Sequence, residues 1–288
     1  MATCYRHPSR ETGVSCSNCG RPICPDCMTT TPVGMRCPEG SRQRTPVKRL
    51  RSAARQPEVT LALIAINVAV FIAEGNLTFT GSATNSVFEK GALVGSLAGH
   101  PDQGVAHGQW WRVITGGFLH EGLLHIAFNM YVLYVLGQML EPALGRLRFA
   151  AIYFISLLAG SLGALIVSPH SLTVGASGAV FGLMGAAAVE MRARQIPIMQ
   201  SGVGGLIVIN LIISFTLPGI SWGGHIGGLI GGALAASAIQ LGNRYHSQLL
   251  ALSTCLLLGA CAFGGSIVAA HSSTDEGVPS TQLFEGGQ

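Results

Sequence analysis

Four polar residues in otherwise apolar surroundings could do chemistry together. They are Ser177 within Thr173-Val-Gly-Ala-Ser-Gly-Ala-Val-Phe-Gly182, His225 within Trp222-Gly-Gly-His-Ile-Gly-Gly228, and His125 with Asn129 within Leu124-His-Ile-Ala-Phe-Asn129. Singly, each has a plain structural role: a serine among glycines lets helices pack closely, and one histidine in an apolar helix can make a cross-helix hydrogen bond. Together they supply the parts of an acyl-transfer site. An imidazole that takes the proton of a serine hydroxyl turns it into a nucleophile, and the same imidazole returns the proton to the leaving amine. Asn129 follows His125 by one helical turn, so both can point at one spot. With the backbone N–H of Ser177 they could hold the oxyanion of a tetrahedral intermediate. Phe181 falls on the same helix face as Ser177, where its ring could stack on the imidazole. No carboxylate is expected to orient His225, which makes the pair a dyad. The G-x-S-x-G elbow is absent, because Ala179 stands two after the serine and no strand precedes it; an α/β-hydrolase is excluded.

Elements that could bring these residues together are legible in the composition. The 288 residues are 49% hydrophobic and 10% charged, whereas a soluble chain is about a quarter charged. This predicts an all-α polytopic membrane protein. The net charge of +4 is small; where the charges fall says more. Apolar runs near the roughly 20 residues needed to cross the hydrocarbon occur at about 59–77, 119–140, 149–167, 174–189, 198–217, 224–241 and 249–270. Arg42, Arg44, Lys48, Arg49, Arg51 and Arg55 precede the first run, the pattern of a cytoplasmic amino end. Counting seven spans from inside, Arg146, Arg148, Arg192, Arg194 and Arg244 also fall inside. The connections 168–173 and 218–221, and the tail with Asp275, Glu276 and Glu285, carry no Lys or Arg and fall outside. Ser177 and His225 then begin the fourth and sixth spans from outside, and His125 and Asn129 lie in the outer half of the second. At roughly 1.5 Å per residue, all are a turn or two below the outer surface.

Glycines favour their meeting. Gly178 and Gly182 form one small-residue ridge on the fourth span, and Gly223, Gly227, Gly231 and Gly224, Gly228, Gly232 form two on the sixth. Backbones that approach this closely allow a short hydroxyl to reach an imidazole.

The first 40 residues predict a separate module. Cys4-x-x-His7, Cys16-x-x-Cys19 and Cys24-x-x-Cys27 are ligand pairs at zinc spacing, followed by an unpaired Cys37. Zinc is favoured over disulfides because the segment should face a reducing cytoplasm. Cross-braced fingers of the treble-clef and B-box kind, which the spacing resembles, would join Cys4, His7, Cys24 and Cys27 in one site. The second site would hold Cys16, Cys19 and Cys37 and be one ligand short, since Gly40 stands where a fourth would close it. Spacing alone also permits sequential pairing. A module this small depends on its metal to fold. No basic helix or aromatic platform accompanies it, so nucleic acid is not an expected partner. Nothing at the start resembles a cleavable signal, and the amino end is expected to be retained.

Beyond these readings, the chain resembles the rhomboid family of intramembrane serine proteases. The resemblance rests on Trp111-Arg112 in the first outer connection, His120 and His125-x-x-x-Asn129 in the second span, Gly175-Ala-Ser177-Gly178, and Gly224-His225 followed by Gly227 and Gly231. It implies a six-helix core with a seventh carboxy-terminal helix. Ser177 would be nucleophile and His225 base, with His125, Asn129 and the Ser177 amide at the oxyanion and Gly175, Phe181 and His120 shaping the site. It also implies that the Trp111-Arg112 connection lies partly in the membrane. No cofactor is expected for catalysis. Domain boundaries follow as 1–40 for the zinc module, 41–57 for a basic cytoplasmic linker, 58–242 for the protease core, 243–271 for the seventh helix and 272–288 for an extracellular acidic tail. The resemblance implies a plasma-membrane enzyme that cuts transmembrane protein substrates beside the lipid. A cytoplasmic protein partner is expected for the zinc module. Two rivals remain at this stage, a catalytically silent rhomboid-like protein that binds transmembrane helices and a transporter with a histidine proton relay; the latter is disfavoured because no polar path continues inward.

Overall fold

The computed structural model describes residues 2–31, 34–42, 56–75, 78–79, 85–97, 100, 102–216 and 219–275. The chain divides into two units, Met1–Ala54 and Arg55–Gln288. Most of the predicted linker 41–57, Pro218, and the tail residues Glu276 and Glu285 lie outside the described residues.

The first unit is built from two short hairpins. Strand β1 (Ala2–Thr3) pairs antiparallel with β2 (Glu11–Thr12), β3 (Thr29–Thr31) with β4 (Gly34–Arg36), and helix α1 (Pro38–Arg42) follows. Its buried apolar core is Ile23 and five cysteines, far too little to offset chain entropy without cross-links.

The second unit is helical: α2 (Glu58–Glu74), α3 (Ser86–Gly91), α4 (Arg112–Thr115), α5 (Leu123–Leu144), α6 (Arg146–Val167), α7 (Ser177–Ala193), α8 (Val203–Thr216), α9 (Trp222–Arg244) and α10 (Gln248–Asp275). By length and composition α5, α6, α9 and α10 are long and apolar enough to cross a membrane, and α8 is apolar but shorter, at 14 residues. All seven expected spans correspond to helices in this order, with α2 and α7 of 17 residues each. Three boundaries differ from expectation. His120 precedes α5, whose N-cap is the extended Gly122. Thr173 pairs with Leu93, and α7 begins only at Ser177. Residues 198–200 form a separate turn before α8. Hydropathy marks an apolar stretch but not the residue at which its backbone starts to coil.

Helix α6 lies between α7, α9 and α10. Lipid is as apolar as leucine, so tight van der Waals packing rather than water exclusion must hold membrane helices together. The glycines supply the fit. A Cβ at Gly228 would overlap the Gly178 carbonyl, and one at Gly232 the Gly182 carbonyl, so this ridge of α9 lies against α7. The Gly223, Gly227, Gly231 ridge instead lies against α6, at Gly163 and Ala159. Helix α2 is fixed differently. It begins after Pro57 with no side-chain cap of its own, and the buried Glu141 carboxyl of α5 accepts from Val59 N–H at 2.9 Å, Thr60 N–H at 2.8 Å and the Thr60 hydroxyl at 2.7 Å. Unpaired amides at a helix start favour such an anion.

Candidate active site

Ser177 is the first residue of α7, and what precedes it is held from two sides. Thr173 exchanges both backbone hydrogen bonds with Leu93, at 2.8 and 3.0 Å, and Gly175 N–H donates to Gly116 O at 2.9 Å. The loop supplying these partners is pinned by buried Arg112, whose Nη1 donates to Ala92 O and whose Nε donates to Gln109 Oε1, each at 2.6 Å. Trp111 Nε1–H donates to Lys90 O at 3.1 Å. Gly175 turns the chain with φ +121°, a region that side chains avoid.

His225, in the first turn of α9, brings Nε2 to 2.8 Å from Ser177 Oγ. Its ring stacks on Phe181, with centroids 4.1 Å apart and planes 14° from parallel. The sequence reading missed the partner of the other nitrogen. Ser214 of α8 lies 2.6 Å from Nδ1, and its own hydroxyl donates to Asn210 O at 2.6 Å. A hydroxyl has one proton; spent on that carbonyl, it leaves a lone pair to accept Nδ1–H. Nε2 is then the unprotonated nitrogen and accepts the Ser177 hydroxyl, the tautomer a general base needs. A signal for Ser214 was available, since Asn210 and Ser214 stand four apart in an apolar run.

His125 faces the same place. Glu121 N–H donates to its Nδ1 at 3.4 Å, which puts the ring proton on Nε2. A Cβ added at Gly175 would sit 2.8 Å from that Nε2 and 3.6 Å from Ser177 Oγ. The missing side chain therefore leaves a small space between the hydroxyl and an N–H donor. Asn129 is buried, spends one amide N–H on His125 O at 3.2 Å, and lines the same cavity of about 520 Å³ as Ser177, His125, Ser214 and His225. His120 packs edge-on against His125, with centroids 5.1 Å apart, and its backbone N–H donates to buried Glu74 at 3.3 Å. Glu74, at the end of α2, thus braces the segment before α5; it lies in the outer half of the first span, where the sequence reading placed no acidic residue, and the partner of His225 Nδ1 is Ser214.

This part of the chain matches the Rhomboid domain over residues 107–242. It is similar to Rhomboid protease GluP of Bacillus subtilis, 34% identical over 228 residues, which are 77% of this chain and 42% of that protein. It is also similar to Putative rhomboid protease YdcA of the same organism, 36% identical over 135 residues, 46% of this chain and 68% of that protein. The chain belongs to the rhomboid family. A third relative, Rhomboid-like protease 1 of Toxoplasma gondii, is 33% identical over 153 residues, half of each chain. The match thus spans less than half of GluP and about two thirds of YdcA. As a rhomboid, the chain is a multi-pass membrane protein, and the matched segment contains every residue of the cavity wall just described from His125 to His225.

The amino-terminal unit carries two ligand groups, each within 4.8 Å: Cys4, His7, Cys24 and Cys27, and separately Cys16, Cys19 and Cys37. Of the two pairings left open by the sequence, the structure adopts the cross-braced one. In the first group His7 Nδ1 lies 3.3 Å from Cys24 Sγ and 3.4 Å from Cys27 Sγ. None of the described cysteines is in a disulfide. In the second group the Cys37 amide, foremost among several N–H donors, lowers the Cys16 thiol from its usual value, while contacts with the other two sulfurs help to raise the Cys37 thiol. Three soft sulfurs with one imidazole suit zinc.

Proposed function

We propose that the protein is an intramembrane serine endopeptidase that hydrolyses peptide bonds in or beside the outer ends of other proteins' transmembrane helices. The observation that carries this is the 2.8 Å approach of Ser177 Oγ to His225 Nε2, with Ser214 Oγ 2.6 Å from Nδ1. Ser177 Oγ attacks the scissile carbonyl carbon as its proton passes to His225 Nε2. The oxyanion forms in the space that Gly175 leaves open, where His125 Nε2–H, the Asn129 amide and Ser177 N–H serve as donors. Nε2–H then protonates the departing amine, leaving an ester on Ser177. Water repeats the cycle: it gives its proton to Nε2, attacks the ester and releases the carboxylic acid, while the proton returns to Ser177. Phe181 keeps the imidazole plane fixed through these exchanges.

A backbone locked in helical hydrogen bonds offers no carbonyl to attack, so substrates with helix-weakening residues near a small side chain at the cut are preferred. Helix α8 and the connection 218–221 serve as the gate. The outward face of α8 is apolar, with Ile209, Ile212 and Phe215 exposed, whereas its buried residues include Asn210 and Ser214. Ser177, His225, His125, Asn129, Gly175, Phe181 and His120 are the functional set, with domains as predicted at 1–40, 41–57, 58–242, 243–271 and 272–288. The arginine pattern favours the plasma membrane with the amino end cytoplasmic and the carboxyl end outside. Zinc on Cys4, His7, Cys24 and Cys27 would supply the cross-link that the small module lacks, and this module binds a cytoplasmic protein.

A fluorophosphonate probe tests the assignment. The full chain in detergent should be labelled, and Ser177→Ala and His225→Ala should not be. Labelling that persists in Ser177→Ala would remove the serine-protease reading.

A further inference from the structure

The second sulfur group of the amino-terminal unit has a property that the first lacks. Cys16, Cys19 and Cys37 offer three donors, and among the described residues no fourth His, Cys, Asp or Glu joins them. Their positions are nonetheless held as a metal site holds its ligands. Cys37 N–H donates to Cys16 Sγ at 3.2 Å, Asn18 N–H to Cys16 Sγ at 3.4 Å, and Gly40 N–H to Cys37 Sγ at 3.1 Å. Gly40 borders the sulfurs without contributing to them: a Cβ there would lie 3.1 Å from Cys37 Sγ and 3.3 Å from Cys16 Sγ. Cys19 is exposed, so the sulfur triangle opens to solvent on that side. Arg36 precedes Cys37 in the chain. Its Nη1 donates to Gly40 O at 3.5 Å, while its buried Nε has no hydrogen-bond partner among the described residues.

Three thiolates on a divalent tetrahedral ion leave one vertex and one net negative charge. Arg36, next to Cys37 in the chain and bonded to Gly40 O, supplies a positive charge in the neighbourhood. We propose that Cys16, Cys19 and Cys37 form a three-thiolate zinc site whose fourth position is open and takes an exchangeable anionic donor from outside the chain. Water fills it in plain buffer, and an anionic ligand displaces that water. A closed four-ligand site is inert in this sense, so the module combines one structural centre with one that binds ligand. The inference deepens, and rests on, the metal-holding role proposed for this module.

Cobalt(II), a coloured substitute for zinc, and azide, a small anion, test it on the full chain in detergent. The wild type should bind two equivalents of cobalt, and azide should shift the visible bands of one of them. Cys19→Ser should bind one equivalent that azide leaves unchanged. Gly40→Cys, which supplies a fourth thiolate, should bind two equivalents with no azide response. Loss of a mere outer-shell partner changes metal affinity about 10–100-fold, so a gained ligand should tighten the second equivalent by at least about tenfold. Two azide-insensitive equivalents in the wild type would overturn the open vertex. One equivalent in the wild type with two in Gly40→Cys would overturn the three-ligand site while leaving the first centre intact. No cobalt bound at all would overturn the metal reading of the whole module.

Discussion

Replacing Ser214 by alanine removes one oxygen from the cavity wall and, with it, the acceptor of His225 Nδ1–H at 2.6 Å. Before reaction the imidazole is neutral, and such a bond contributes about 0.5–1.5 kcal/mol. In the transition state the ring has taken the Ser177 proton and is cationic, so the same bond is charge-assisted and contributes about 1.5–3 kcal/mol. The difference falls on the chemical step. The difference is about 1–1.5 kcal/mol, so at about 1.4 kcal/mol per decade kcat should fall roughly 5- to 12-fold while KM changes little. The fall is not total, because Phe181 still stacks on the ring and Ser177 Oγ still lies within reach of Nε2. Cleavage of a transmembrane substrate over a range of concentrations, in detergent at fixed pH, separates the two constants. Thermal unfolding of the same variant checks that α8 keeps its place. A kcat within twofold of wild type would refute the tautomer argument. A large rise in KM with kcat unchanged would instead assign Ser214 to substrate binding.

Three other perturbations follow from the structure. Gly175→Ala places a methyl 2.8 Å from His125 Nε2 at a φ of +121°; displacing one oxyanion donor costs about 10²–10³ in rate, so fluorophosphonate labelling should slow by that order, and an unchanged rate would sink the oxyanion assignment. Glu141→Ala leaves two amides at the start of α2 and the Thr60 hydroxyl without their acceptor, a loss of about 3 kcal/mol that should appear as a clearly lower unfolding temperature in detergent, whereas Glu141→Gln, which keeps one oxygen, should lose less. A zinc chelator should expose residues 1–40 to limited proteolysis while probe labelling of Ser177 continues, because a module with so small a core folds only with its metal; protection that survives metal removal would count against a structural zinc.

What the sequence made legible was whatever depends on residue type and spacing. Apolar runs and arginine placement predicted the helices in order, and polar residues at one depth pointed to Ser177, His225, His125 and Asn129. The ligand pairs anticipated the two groups that assemble in the amino-terminal unit. Contacts between distant segments left no such trace. Glu141 lies 82 positions from Val59, whose amide it accepts, and nothing local to either residue announces the pairing. The glycines illustrate the same divide. Their four-residue spacing declared that two faces of α9 pack closely, but only the fold assigns one face to α7 and the other to Gly163 and Ala159 of α6. That assignment has a chemical consequence. Because both faces of α9 are held by backbone contact, His225 has little freedom to move, and the adjustable side of its environment is α8, which carries Ser214.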